Sequence, residues 1–203
     1  LDYYNKATTV EMNINAVKIL DAAGIGVVCG YIIGAPHDTV TSILEDLDRV
    51  LQLPIFFLAT AILTPDIGTT EYKRALRRIP LLQELGDGGT KLNIRPRPDL
   101  FGTSAPYGLP TVSDAVTKDQ LNELYALVNC EFILRPELIE RVNHYVYPSR
   151  REEALSWCAL QRNRIRELAS TATLLEVRTR AQKLSSYVEA QGLFAEYDMK
   201  DSA

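Results

Sequence analysis

The sequence predicts an α/β chain with parallel strands, followed by a mostly helical C-terminal region. Three observations predict it. Over about the first 80 residues, apolar patterns alternate as helix–strand–helix–strand–helix, the order that yields parallel strands joined by crossovers. The two strand-like runs, "IGVVCGYIIG" and "IFFLATAIL", are continuous and apolar rather than alternating, as in strands buried on both faces of a parallel sheet. Each run ends in a turn rich in glycine and proline, "GAPHDT" and "TPDIGT". Those turns fall at the carboxyl ends of the strands, where such sheets bind ligands.

The first helix is marked by Thr8-x-x-Glu11, a candidate capping box. Val10, Ile14, Val17 and Leu20 follow at helical spacing, and Gly24 suits the C′ position. After the first strand, a helix beginning at Asp38 or Thr39 carries Val40, Ile43, Leu44, Leu47, Val50 and Leu51 on one face. Glu45, Asp46, Asp48 and Arg49 form its solvated face, and Pro54 stops it. The second strand gives way to a helix from about Thr70. From Ile79 to Thr117 the chain is rich in glycine and proline and reads as a long loop or cover. Helices resume over Lys118 to Phe132, Pro136 to Val146, Arg151 to Ser170 and Thr173 to Phe194. The organisation expected is therefore 1–78, 79–117 and 118–203.

Composition narrows the function. Of 203 residues, 46% are hydrophobic and 24% charged, as in ordinary globular proteins. The net charge of −4 supplies no broad basic surface, so nucleic acid is not an expected partner. No apolar run reaches the length of a membrane span, and a cytoplasmic protein is expected. Cys29, Cys130 and Cys158 lie far apart, without the spacing of a zinc or iron–sulfur site, and read as reduced thiols. With two histidines, His37 and His144, a histidine-rich metal site is not expected either. The chain opens at Leu1, inside what reads as an element under way. A piece of a longer protein is the expectation.

The stretch "GYIIGAPHDT" poses the chemical question. Period-two alternation puts Gly30, Ile32 and Gly34 on one strand face, small–apolar–small. Such a face either admits a flat apolar ligand or makes room for a neighbouring helix; spacing alone leaves both open. In "TPDIGT", Pro65 and Gly68 set a turn and Thr64 and Thr69 can hydrogen-bond locally. It reads as a strand-to-helix turn or a weak phosphate cradle, without the lysine of a P-loop. Asp38 reads as a helix N-cap before a catalyst. No acid–base dyad can be located, so the catalytic residues are unknown.

Two runs then carry a family resemblance. "YNKATTVEMNINAVKILDAAGIGVVCGYIIGAPHDTVTSILEDLDRVLQL" followed by "LTPDIGTTEYK" resembles the C-terminal half of the radical S-adenosylmethionine (SAM) barrel, over residues 3 to 75. Two motifs agree with that family in order and separation. The later "NCEFILRPELI" resembles, more briefly, a segment after the barrel in cobalamin-dependent members. The resemblance implies the C-terminal portion of a partial (β/α) barrel, with Gly30, Ile32 and Gly34 lining the adenine pocket of SAM. Pro36 and Asp38 would shape the adjoining turn, and Thr64, Pro65 and Gly68 would close the same side. It implies SAM and a [4Fe–4S] cluster as cofactors of the parent, and leaves room for cobalamin. In the parent, the cluster would cleave SAM reductively to a 5′-deoxyadenosyl radical that abstracts a substrate hydrogen.

This chain departs from the family at informative places. Asp38 stands where a glutamate is usual, His37 where a glycine is, and Asp66–Ile67–Gly68 where the turn is usually Tyr-Pro-Gly. The three-cysteine cluster motif belongs to the first unit of the barrel and is absent here, so no residue of this chain is a metal ligand. The missing N-terminal barrel half is thus an implied partner, and the substrate is unidentified. Two other classes remain: a non-catalytic interaction module derived from such a barrel, and an unrelated α/β enzyme binding a phosphorylated small molecule.

Overall fold

A computed structural model of the chain describes residues 6–64, 69–73, 112–138, 140 and 151–191. In chain order the elements are α1 (Val10–Ala22), β1 (Val28–Ile33), α2 (Val40–Leu51), β2 (Phe57–Ile62), α3 (Lys118–Ile133), α4 (Arg151–Thr171) and α5 (Leu175–Ala190). The fold is α/β, mostly helical, with two parallel strands paired in a sheet among the described residues. Val28 pairs with Phe57, Gly30 with Ala59 and Ile32 with Ala61 on one face. Cys29 pairs with Leu58, Tyr31 with Thr60 and Ile33 with Ile62 on the other.

Local chemistry explains the element ends. Thr9, one residue beyond the expected cap, opens α1 by accepting from the Met12 amide at 3.1 Å. Thr8 instead donates to Asn13 Oδ1, so Glu11 has no capping-box role with it. At the far end Gly24 takes a positive φ of 73°. Its amide donates to Asp21 O, and that of Ile25 to Leu20 O, the paired bonds of a Schellman motif. Thr39, not Asp38, caps α2, in a reciprocal box with Ser42. Thr117 caps α3 in the same way with Gln120. The expected helix from Thr70 is under way at 70–73, while the long loop of 79–117 lies mostly outside the described residues, as does most of Pro136 to Val146.

One apolar core runs from the sheet into the helical region. Ile33, Leu58 and Ile62 join Ile43, Leu44 and Leu47 of α2 and Leu121, Leu124 and Leu127 of α3. The cluster continues through Ile165 of α4 to Val177 and Val188 of α5. Leu121, Leu124, Leu127 and Ile165 are fully buried, each worth about 1.5–3 kcal/mol relative to exposure.

Polar ties hold the same elements. Arg135, just beyond α3, donates to the carbonyls of Leu51, Leu53 and Ile55, the last at 2.6 Å. Its guanidinium also lies 4.2 Å from the Phe132 ring centroid. Arg180 of α5 grips both oxygens of Glu131 on α3 and one of Asp48 on α2. The Glu131 hydrogen bond, more than the Asp48 contact, raises the proton affinity of that guanidinium. Glu123 accepts from the amides of Thr173 and Leu174 and from the Thr173 hydroxyl. It thereby caps α5, whose own N-cap residue, Leu174, has no side-chain acceptor.

The expectation that both strands are buried on both faces is corrected. The Cys29–Tyr31–Ile33 side faces the core. On the other side Val28 is 65% exposed, Ile32 60% and Phe57 47%. No element among the described residues packs over that side, and β1 has no strand partner other than β2 among them. A continuous apolar run records that a strand is apolar on two sides, not whether both are covered.

Candidate functional site

The open sheet face is the candidate site. It is built from two strands at matched register: Val28, Gly30 and Ile32 on β1 beside Phe57, Ala59 and Ala61 on β2. Gly30 lies at its centre, and a Cβ placed there would meet nothing within 4 Å. With Ala59 as its neighbour, it leaves a shallow trough flanked by Ile32 and Val28 along the same strand. Such a trough can take the flat face of an apolar ring, because dispersion requires close approach over a broad area.

Gly34 has a different task. It lies past the end of β1 with φ of 87°, the left-handed region. A Cβ there would come within 3.2 Å of both Leu121 Cδ atoms and 3.4 Å of Ile62 Cγ2. Gly30 and Ile32 therefore share the open face, whereas Gly34 turns the chain against α3. At this position the neighbouring-helix alternative is the one realised.

The turn is held by Asp38. Its Oδ2 accepts from the Gly34 amide at 2.8 Å and the Ala35 amide at 2.9 Å. The Asp38 amide donates to Ala35 O, closing the loop on itself. Pro36 is buried, and its carbonyl accepts from the Asp114 amide. His37 is exposed, with Nε2 3.9 Å from Asp38 Oδ1. Across the sheet, the Leu63 amide donates to Ile33 O at 2.7 Å, bringing Thr64 beside the Gly34 turn. Thr64 is half-buried and its hydroxyl donates to Ile62 O. Pro65 and Gly68 lie outside the described residues.

Behind the sheet, the Tyr31 hydroxyl donates to Ile43 O at 2.9 Å. Burial, then the nearby Asp46, Asp38 and Asp48, push its phenol above the usual range, so it is a fixed donor. Burial likewise raises all three thiols: Cys130 to about 12, Cys158 to about 11, and Cys29 upward. Cys130 donates to the carbonyl and side-chain oxygens of Gln161. Among the described residues no three His, Cys, Asp or Glu side chains group to hold a metal, and no helix is long and apolar enough to cross a membrane.

Beside Gly30, the sequence also marks the β2 wall through the small Ala59 and Ala61 at period two, with Phe57 at its end. Compared with family models, curated proteins and solved structures, the chain finds no match.

Proposed function

We propose that this chain is the C-terminal portion of a cytoplasmic radical SAM barrel and supplies the adenine side of its SAM site. The observation that carries the reading is the open trough at Gly30, bordered by Ile32, Ala59 and Ala61. It has the small–apolar character expected of the adenine wall in that family, on parallel strands whose outer edges no other strand among the described residues pairs, leaving them available to the rest of a barrel. Bound SAM and its cluster would supply the radical chemistry. Gly30 and Ala59 would seat the adenine face, Ile32 would pack against its edge, and the apolar surface would exclude water. Asp38 acts one step removed, fixing the Gly34 turn that ends the wall. Among the described residues no group of side chains fits the cluster itself, whose ligands would come from the other barrel half.

The Asp38 carboxylate also bears on the phosphate reading. It already occupies the Gly34 and Ala35 amides and places negative charge where a phosphate would sit. That counts against a phosphorylated ligand at this strand end.

The decisive test of the parent enzyme is the gene. A C-x-x-x-C-x-x-C motif encoded in frame upstream of Leu1 is the expected result. A translation start at Leu1, with no such motif upstream, would overturn the reading.

A further inference from the structure

Helix α1 is apolar on two sides. Val17 is buried in the core cluster, with Ile14 half-buried beside it. Yet Met12 is 57% and Ile19 69% exposed, with Ala16 and Ala23 also exposed between and beyond them. At 3.6 residues per turn these four lie on one stripe, roughly 100–160° round the helix from Val17. Their spacing, four then three then four, is that of a two-helix seam. A helix apolar on two sides is normally enclosed, and no element among the described residues packs extensively on α1.

The pattern is self-complementary. Ala16 lies half a residue from the midpoint of Met12 and Ile19. A two-fold axis there sets Met12 opposite Ile19 of a second, antiparallel copy, and Ala16 opposite Ala16, where small side chains let the axes approach to about 8 Å. Bordering the seam are Asn13, Asn15, Leu20 and Ala22, none charged, so two copies bring no like charges together despite the net charge of −4. Farther out, Glu11 and Lys18 lie seven residues apart on one flank. The same axis brings each acid to the side of the other copy's lysine, about 3 Å apart in level.

We propose that α1 is a self-association surface through which two copies of this chain pack antiparallel about Ala16. This rests on the outer side of α1 and is independent of the adenine reading. One helix pair buries less than the roughly 800 Å² per partner of a standard interface, so the dimer is concentration-dependent.

Sedimentation of the full chain over a range of concentrations tests it, comparing wild type with Ile19→Asp and Ile32→Asp. Both substitutions fall at exposed positions, and circular dichroism checks that each variant folds. The dimer constant should weaken at least about tenfold in Ile19→Asp and stay unchanged in Ile32→Asp. Mild oxidation of Ala16→Cys should give a covalent dimer that neither wild type, with its three native thiols, nor Lys18→Cys forms. A wild-type chain monomeric up to about 1 mM, or association lost in Ile32→Asp but kept in Ile19→Asp, overturns the proposal. So does cross-linking of Lys18→Cys in preference to Ala16→Cys.

Discussion

Replacing Gly34 by alanine separates the two glycines of "GYIIGAPHDT" most cleanly. At φ of 87° an alanine is strained, a cost of about 1–3 kcal/mol. Its methyl would also sit 3.2 Å from both Leu121 Cδ atoms and 3.4 Å from Ile62 Cγ2. Leu121 is fully buried, so it yields only by disturbing α3 packing. Crowding of that kind costs about 1–3 kcal/mol. Stiffening of the unfolded chain returns only about 0.4–1 kcal/mol. The net expectation is destabilisation by about 3 kcal/mol. Gly30→Ala is the internal control, because its methyl enters open space in a strand, and it should be neutral or stabilising by up to about 1 kcal/mol. Urea titration reads both, as a lower midpoint at unchanged slope for Gly34→Ala. A Gly34→Ala protein within about 0.5 kcal/mol of wild type would refute the assignment. A Gly30→Ala protein equally destabilised would do the same.

Other substitutions probe the ties around the site. Arg135→Ala removes three bonds to the carbonyls of Leu51, Leu53 and Ile55 and should cost about 2–4 kcal/mol in urea; Arg135→Lys should recover less than half, since an ammonium cannot reproduce the fork. Arg180→Ala strands Glu131, which is 11% exposed, and should cost about 2–3 kcal/mol, less than a fully buried pair because Asp48 is open to water; a change under about 0.5 kcal/mol would contradict the clamp. The Cys130 thiol has its folded value raised from 9.0 to about 12. Its contribution is fully present below pH 9.0 and is lost as pH rises towards about 12, because the unfolded chain releases the proton first. The fall in stability across that window should be shallower in Cys130→Ala, and an identical slope would refute it.

Much of the local structure was legible in the sequence. The α2 pattern identifies its buried face, Thr39 offers the cap, and two apolar runs between helices predict the parallel pair that forms. What was not legible depends on distant partners. Spacing treats Gly30 and Gly34 alike, and only the positions of Leu121 and Ile62, far along the chain, tell them apart. Asp38 reads as a helix cap by its position, yet the chain bends back so that its carboxylate meets the Gly34 and Ala35 amides. Arg135, Glu123 and Arg180 look like surface charges on helical patterns. Their targets lie 84, 50 and 132 residues away in the bonds to Leu51, Thr173 and Asp48. The open side of the sheet was missed because apolar content is encoded locally, whereas coverage is decided by what packs there.

As proposed, the Gly30 trough forms one wall of an adenine site. Titration of the isotope-labelled chain with adenosine, while following its amide and methyl resonances, tests this wall. Saturable shifts are expected at Gly30, Ile32, Ala59 and Ala61 with millimolar affinity, as suits one side of a site, and their loss in Gly30→Val with the fold intact. Inorganic phosphate should shift none of them. No shifts at these four residues up to about 10 mM adenosine, or shifts that persist in Gly30→Val, would contradict it.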